Sequence, residues 1–319
     1  MKKYTLMING GIGKHICSTT MIRQIKEEDP EARITVVSGY PEVFLNNPKI
    51  HRNLHHMTSY IFDDYISGTD CRMGEPYNIK DYYENKKHLS NVYPIAYRFK
   101  NENKDIYPEI YLNDEEKEAV EKLVSKSKYP VITLQATGGN QRVGQVKDPR
   151  KLTGRDLLLK HAQKIVDICN EEKVNVIQIA LPHEYRLKNV MTFDLPFRRF
   201  MALIPSTIGH IGIDSAMMHA AAAFKKPALI FWNQTNVNAL GYPYMTNVTR
   251  NACPNPMCSR PHVGMNDLVP EGVWKCPYDM ACRKWTEKEV EGHIRKFIKK
   301  LKDDGAYKLP EKEITRIPL

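Results

Sequence analysis

The sequence contains no apolar run that approaches the roughly 20 residues needed to span a bilayer. Its first apolar stretch ends in a glycine turn with no small-residue cleavage site, which is typical of a buried strand and not of a secretory signal. Acidic residues are also few: 37 Asp and Glu oppose 47 Lys and Arg, so the net charge is +10. We therefore expect a cytoplasmic protein with anionic partners, among them phosphorylated small molecules, nucleic acid or a peripherally contacted membrane surface.

The familiar phosphate-binding and metal-binding motifs are missing as well. A P-loop requires glycine at position 8 and Ser or Thr at 15, where the chain has Ile8 and His15. A dinucleotide-binding turn requires a small residue at Ile16, and no Asp-x-Asp triad occurs. What remains near the N-terminus is a strand–glycine–helix turn, in which Gly11 and Gly13 bring the backbone close to a ligand.

Apolar runs and helical patterns alternate along the chain, which indicates parallel sheets covered by helices on both faces. A charged segment at 113–130 predicts a helix and a joint between two such halves. We expect an α/β protein of two doubly wound domains with ligands in the cleft between them. The predicted strands lie at 4–8, 34–37, 131–134, 174–181, 208–213 and 228–232, and the predicted helices at 21–28, 115–125, 157–172, 216–224 and 287–302.

The segment 207–232 carries the strongest site signal. An apolar run ends at Asp214 and Ser215 and continues into an alanine-rich stretch, which predicts a strand, a tight turn and a helix capped by one of these two residues. Free N–H groups at such a helix start suit a phosphate. His219 lies four residues after Ser215 and shares its helix face, so it can reach the same ligand. A satisfied core histidine is the alternative.

A second candidate phosphate element follows the strand at 131–134. Thr137 and Gly138 open a loop of glycines and cations that suits a diphosphate. A mobile basic surface loop is the alternative reading.

These motifs, in this order, resemble the family 9 glycosyltransferases, which include the heptosyltransferases. The likeness rests on the glycine turn at 8–13, on 29–37, on the Asp-Ser-x-x-x-His segment with Lys226 and Pro227, and on the late cysteine-bearing stretch at 276–290. Ala216 stands where the family prefers glycine. The resemblance implies the GT-B fold, with the acceptor on the N-terminal half and a nucleoside-diphosphate sugar on the C-terminal half.

The resemblance also assigns roles. It makes Lys147 the donor-phosphate lysine, with Arg150 and Lys151 as rival cations, and it gives Glu184 a tentative contact to the donor ribose. The family places an aspartate, its proposed general base, where this chain has Lys14. On chemical grounds His15, with an ordinary pKa near 6.5, is the better base. The other alternative is that Lys14 binds phosphate and a carboxylate from residues 63–75 acts as the base.

Residues 51–110 are rich in tyrosine and histidine, with no metal-ligand spacing among His51, His55, His56 and the nearby aspartates. They suit either an acceptor surface or ordinary half-buried tyrosines.

Four late cysteines, Cys253, Cys258, Cys276 and Cys282, lie within 30 residues. Their spacings are wider than usual for paired zinc ligands, so a structural zinc, unliganded thiols and disulfides all remain open.

The sequence thus predicts a metal-independent, inverting glycosyltransferase that needs no cofactor beyond its sugar-nucleotide co-substrate. The expected domains are 1–127 on the acceptor side and 128–285 on the donor side, followed by a helix and tail at 286–319 that packs back on the N-terminal domain. A bacterial surface glycan similar to the lipopolysaccharide core is the first acceptor. A hydroxymethylated DNA base is the alternative, and a non-catalytic sugar-nucleotide-binding protein is the third reading.

Overall fold

The computed structural model describes residues 1–56, 66–138, 155–182, 184–250 and 280–307. Within them the chain forms two parallel sheets. The first contains β1 (Lys3–Ile8), β2 (Arg33–Ser38), β3 (Arg52–His55) and β4 (Asp70–Met73) in the order β3-β2-β1-β4. The second contains β5 (Val131–Gln135), β6 (Asn175–Gln178), β7 (Met191–Thr192), β8 (Gly209–Ile213), β9 (Ala228–Trp232) and β10 (Thr246–Thr249) in the order β10-β9-β8-β5-β6-β7. The predicted α/β class with two doubly wound halves is confirmed.

Helices cover both sheets. The first half has α1 (Ile12–Glu28), α2 (Lys80–Tyr83), α3 (Leu89–Ala96) and α4 (Asp114–Val124). The second half has α5 (Leu159–Glu171), α6 (Phe197–Ser206), α7 (Ala216–Ala223), α8 (Val237–Leu240) and α9 (Glu287–Asp303). Short 3-10 turns occupy Pro41–Phe44, Pro76–Asn78 and Ala281–Arg283. Both α4 and α9 begin with capping boxes, which satisfy N–H groups that a helix start leaves without intrahelical partners.

The strand order reverses once in each sheet. In the first sheet the reversal falls between β1 and β4, and in the second between β5 and β8. Open parallel sheets bind ligands outside the carboxyl ends of the strands at such points, because the flanking helices there lie on opposite faces and leave a crevice. The topology therefore directs attention to the loops that follow these four strands.

The two halves share a packed interface. Helix α1 packs on α7, and buried residues of α6 and α7 belong to the same hydrophobic core as α1 and the first sheet. Arg198 on α6 reaches across to Glu116 on α4, at Nε–Oε1 2.6 Å and Nη2–Oε2 2.9 Å, and is only 9% exposed. The cleft between the two sheets is thus closed at its base by side chains from both.

The C-terminal helix packs elsewhere than expected. Helix α9 packs on α5, and its buried residues belong to the core of the second sheet. The apolar face of α9 is buried in that core. The sequence pattern indicates that the helix has an apolar face but not which surface it packs against. The expected packing on the N-terminal domain is not found for this helix, and the tail at 308–319 lies outside the described residues.

Candidate functional site

The glycine turn follows β1 and begins α1. Gly10 has a φ of +88°, a backbone conformation that glycine adopts at little cost. Gly11 is the N-cap residue of α1, and no side chain caps the helix there. Gly13 lies against His219: a Cβ built on Gly13 would stand 3.0 Å from Cδ2 of His219. Gly13 is therefore required for the close approach of α1 and α7, whatever it also offers to a ligand.

Two buried tyrosines hold the backbone of this turn in place by hydrogen bonds. The hydroxyl of Tyr93 donates to the carbonyl oxygen of Lys14 at 2.6 Å, and that of Tyr97 donates to the carbonyl oxygen of Met7 at 2.7 Å. Tyr82 is buried beside them. Part of the tyrosine-rich segment thus supports the turn from the core instead of forming an open acceptor surface. Tyr60 and Tyr65 lie outside the described residues.

Lys14 points across the switch point of the first sheet to the loop after β4. Its Nζ lies 2.7 Å from Oε1 and 2.8 Å from Oε2 of Glu75, and it also donates to Oδ1 of Asn9 at 3.2 Å. The ammonium lies 4.5 Å from the ring centroid of Tyr77. Burial lowers the pKa of Lys14, and the hydrogen bond and charge of Glu75 offset part of that shift. The position that holds the family's aspartate therefore holds a lysine whose partner is a glutamate from another strand end.

His15 lies on the other side of the turn, fully buried against Tyr40 and Phe44. Its Nδ1 lies 3.0 Å from the carbonyl oxygen of Gly11. A carbonyl only accepts, so Nδ1 carries the proton in the neutral ring and Nε2 is left with a lone pair. Nε2 has no hydrogen-bond partner among the described residues. Burial lowers the pKa of His15 to about 4, with the nearby Gly11 and Ile8 carbonyls opposing the shift, so the ordinary value expected from the sequence does not apply.

The predicted strand–turn–helix at 209–223 is present, with Ser215 in the N-cap position of α7. Its side chain does not cap the helix as the sequence suggested. The Ser215 hydroxyl donates instead to Oε1 of Gln135 at the end of β5, and the same oxygen accepts the backbone N–H of Met217 at 3.3 Å. Gln135 thus takes over the capping, because β5 and β8 are neighbours at the switch point. Ala216 starts the helix, and its Cα would lie 3.9 Å from a Cβ on Gly13.

Among the described residues, Arg155 brings a cation to this switch point, and no sequence motif marked it. Its Nη1 lies 3.2 Å from the carbonyl oxygen of Asp214 and 3.5 Å from Oδ2 of the same residue. A Cβ on Gly138 would stand 3.2 Å from Nη2 of Arg155, and the Gly138 N–H donates to Oδ1 of Asp156 at 2.6 Å. Arg155 therefore joins the loop after β5 to the start of α7. The signal in the sequence was weak because Arg155 is one of several cations in 142–155.

The two switch points adjoin where Gly13 lies against Ala216, and the first of them also includes Tyr77. Its ring stacks on Tyr82 at 5.2 Å, and burial raises its pKa. The nearby charge of Asp214 raises that pKa further while Arg155 lowers it, so both residues of the second half lie within electrostatic reach of this phenol. The ammonium of Lys14 lies over the same ring. Tyr77 therefore packs against the cation of the Lys14–Glu75 pair.

His219 does not face open solvent. Its Nδ1 lies 2.8 Å from the Tyr242 hydroxyl and 3.3 Å from Sγ of Cys17, and its side chain is 3% exposed. Burial lowers the pKa of His219 to about 3 and raises that of Cys17 to about 12, so both groups are neutral near pH 7. The expectation that His219 lines the cleft is corrected: the helix face is as predicted, but α1 covers it.

The remaining candidates divide into two sets. Thr137 is buried beside Gly138, and Oε2 of Glu184 accepts the backbone N–H of Leu181 at 2.7 Å, a local turn contact. Cys282 is a half-buried thiol, and no group of three or more metal-binding side chains occurs within the described ranges. The other candidates lie outside the described residues, so their roles stay predictions: Lys147, Arg150, Lys151, Asp63, Asp64, Cys253, Cys258 and Cys276.

The chain is similar to known proteins in its fold but matches none of them by sequence comparison. No protein-family profile matches the chain, and no curated protein sequence does. Among solved structures, it is similar to the E. coli ADP-heptose lipopolysaccharide heptosyltransferase II, with a TM-score of 0.66, 11% identity, and 96% of this chain and 100% of the other covered.

Two further solved structures give the same result. A family 9 glycosyltransferase from Veillonella parvula has a TM-score of 0.63 at 11% identity, with 94% and 97% of the two chains covered. The E. coli heptosyltransferase WaaC with ADP-2-deoxy-2-fluoro heptose has a TM-score of 0.56 at 7% identity, with 92% and 99% covered. The chain therefore has the GT-B fold of the family 9 heptosyltransferases.

Proposed function

We propose that this protein is a glycosyltransferase that moves a sugar from a nucleoside diphosphate to an acceptor hydroxyl. The observation that carries the proposal is the meeting of two switch points at Gly13 and Ala216, with Lys14 and Glu75 beside the first and Arg155 and Asp214 at the second. One side offers a cation and a helix start for a diphosphate. The other offers a carboxylate for an attacking hydroxyl. We divide the chain accordingly into an acceptor half at 1–127 and a donor half at 128–285.

On the donor side, Arg155 would bind the diphosphate. A guanidinium offers two parallel N–H donors to phosphate oxygens, and here it is only 19% exposed, where screening by water is reduced. The free N–H groups at the start of α7 add to the same field. This arrangement would stabilise the charge that develops on the leaving diphosphate without a metal ion. Lys147 remains a candidate second cation.

On the acceptor side, Glu75 is our choice for the general base. Its carboxylate is half-buried and is held by Lys14, the residue that stands where the family has its aspartate. A base there would take the proton of the acceptor hydroxyl as that oxygen attacks the anomeric carbon from the face opposite the diphosphate, which inverts the configuration. His15 is the rival base, because its Nε2 has a free lone pair.

The sugar donor and the acceptor to test first come from the similar structures and from the net charge. The E. coli heptosyltransferase II is described as an ADP-heptose lipopolysaccharide heptosyltransferase, and WaaC was solved with an ADP-heptose analogue. These descriptions support an ADP-sugar and a surface glycan as the first pair to test. None of the helices in the described ranges combines the length and apolar character needed to cross a bilayer. The net charge of +10 keeps an anionic acceptor such as DNA as the alternative.

The proposal is tested by incubating the protein with ADP-, UDP- and GDP-sugars and scoring both thermal shift and slow hydrolysis. We expect one nucleotide class to raise the melting temperature and to be hydrolysed. Arg155→Ala should weaken donor binding about tenfold or more, and Arg155→Lys should recover only part of it, because lysine lacks the two-pronged geometry.

Arg186→Ala is the matched control, since Arg186 is exposed and contacts only the carbonyl of Ala180 among the hydrogen bonds described. Donor binding without any hydrolysis or transfer would favour the non-catalytic reading. If no nucleotide sugar shifts the melting temperature, the proposed function is wrong.

A further inference from the structure

Arg155 lies in a segment whose backbone is tied to the loop after β5. The N–H of Leu157 donates to the carbonyl oxygen of Ala136 at 2.9 Å. The carboxylate of Asp156 accepts the N–H of Gly138 at 2.6 Å. These contacts hold one side of the segment, and a residue from another strand end holds the other side.

Asn233 supplies the contact on that other side. It follows β9 directly and is 6% exposed. Its Nδ2 donates to the carbonyl oxygen of Arg155 at 2.8 Å and lies 3.5 Å from that of Asp156. Its Oδ1 accepts the indole N–H of Trp285 at 2.9 Å. Because a carbonyl oxygen only accepts and an indole N–H only donates, the amide has one possible orientation and both of its ends are used.

Trp285 is a rigid partner for this amide. It is 3% exposed, and its ring packs edge-on against Phe231 and His293, with centroid distances of 5.2 Å and 5.8 Å. Phe231 belongs to β9 and His293 to α9. The indole N–H is therefore a fixed donor, and one amide links the main chain at Arg155 to the core of the second half.

The guanidinium of Arg155 stands at the end of a long side chain, so its position depends on where the main chain is held. Its Nη1 lies 3.2 Å from the carbonyl oxygen and 3.5 Å from Oδ2 of Asp214. Both distances are at or beyond the upper end of ordinary N–H···O hydrogen bonds, so Asp214 holds the guanidinium loosely. A cation that is already in place before its ligand arrives loses less conformational freedom on binding. Asn233 can thus affect binding without touching the ligand.

We propose that Asn233 is a positioning residue for the nucleoside diphosphate: it holds the main chain of Arg155 where the guanidinium meets the diphosphate. Trp285 supports this role by fixing the amide. The inference rests on the proposed function for the identity of the ligand, whereas the holding of Arg155 is measurable in the protein alone. The two can therefore fail separately.

The first test is a double-mutant cycle read by calorimetric titration with ADP, UDP and GDP. Asn233→Leu keeps the approximate size of the side chain and removes both of its hydrogen bonds. We expect it to weaken binding of the best nucleotide about tenfold in the wild-type background, roughly the effect of one hydrogen bond, and less than about twofold in the Arg155→Ala background. An equal loss in both backgrounds, or no loss in the first, overturns the proposal.

Asn247→Leu is the matched control. Asn247 also accepts an indole N–H, that of Trp232 at 2.8 Å, and also donates to a backbone carbonyl oxygen, that of Tyr242 at 3.0 Å. These bonds lie at β10 and do not involve Arg155, so this variant should bind nucleotide like the wild type. Should Asn233→Leu fail to fold, Trp285→Phe takes its place in the cycle, because it removes the indole donor and keeps a ring in the core.

Hydrogen exchange in the ligand-free protein gives the separate readout. In Asn233→Leu the amides of Gly138 and Leu157 should exchange about tenfold faster than in the wild type, and in Asn247→Leu they should not change. Unchanged exchange in Asn233→Leu overturns the proposal. If no nucleoside diphosphate binds the wild type, the proposed function is wrong, and the exchange rates still decide whether Asn233 holds Arg155.

Discussion

The ammonium of Lys14 lies within 2.8 Å of both carboxylate oxygens of Glu75, so a residue after β1 and a residue after β4 form one ion pair across the switch point of the first sheet. The family's carboxylate at the glycine turn is thus replaced by a lysine with a carboxylate facing it. The carboxylate beside this turn belongs to Glu75, in the loop after β4.

Glu75→Gln should lower the turnover number by about 10²- to 10⁴-fold, the usual contribution of a general base, while leaving donor affinity unchanged. The amide keeps the size of the side chain but cannot take a proton. Single-turnover transfer rates and donor titration give the two quantities. Glu84→Gln, in the exposed part of the same segment, should have no effect. A Glu75→Gln enzyme with a normal turnover number would move the base elsewhere.

Lys14→Met should lower the turnover number with little change in the donor Michaelis constant, because Lys14 holds Glu75 in place and its charge is already paired. Steady-state kinetics over a range of donor concentrations distinguish the two effects. The opposite result, a raised Michaelis constant with turnover preserved at saturation, would make Lys14 a phosphate ligand.

The pH profile tests whether His15 stays buried and neutral in the working enzyme. If His15 were the base, its lowered pKa of about 4 would make the rate rise between pH 3 and 5 and stay flat from pH 6 to 8. We therefore expect no inflection near pH 6.5 in the wild type. An inflection there that disappears in His15→Asn would show a histidine much more accessible to water than the structure has it.

Gly13→Ala should destabilise the protein by about 1–3 kcal/mol, the usual cost of overpacking. The added methyl group would lie 3.0 Å from Cδ2 of His219, whose ring is held by Tyr242 and Cys17 and has little freedom to move. Gly292→Ala, on α9 with nothing within 4 Å of the new methyl group, should be slightly stabilising. Urea unfolding of both variants checks this, and equal stability would argue against the tight contact of α1 with α7.

Buried histidines should make the protein acid-sensitive. Burial lowers the pKa of His15 to about 4 and those of His88, His210 and His219 to about 3. Their unfolded values lie near 6.5, so below that pH the unfolded state binds more protons and the free energy of unfolding falls as pH decreases. Each of these histidines lowers the free energy of unfolding by up to about 1.4 kcal/mol for every pH unit below 6.5. Above pH 7 none of them makes it depend on pH.

His210→Leu tests this directly. Thr133, its partner at 3.0 Å, keeps the carbonyl oxygen of Gly209 as an alternative acceptor. The slope of unfolding free energy against pH should fall by up to about 1.4 kcal/mol per pH unit between pH 6.5 and 4.5, the share of one histidine that stays neutral in the folded state. An unchanged slope would mean that His210 does not remain neutral in the folded state.

Local patterns in the sequence determined much of the fold. The predicted strands at 4–8, 131–134, 208–213 and 228–232 and the helix starting at Ala216 are present to within a residue or two, because continuous apolar runs and alanine-rich helices are short-range signals. Strands β3, β4, β7 and β10 were not predicted, since their short or half-buried sequences carry little periodicity. Helix α6 was also not predicted, although its ten residues form a clear apolar face.

The pairing of residues in the candidate site could be seen only in the tertiary structure. The sequence placed Lys14, His15, Asp214 and Ser215 at strand ends, but no spacing indicates that Glu75, 61 residues further along, lies opposite Lys14. The same holds for Arg155 at Asp214 and for α1 covering His219. Which strand neighbours which is decided when the whole sheet assembles, and the pairing of charges across a switch point is a consequence of that assembly.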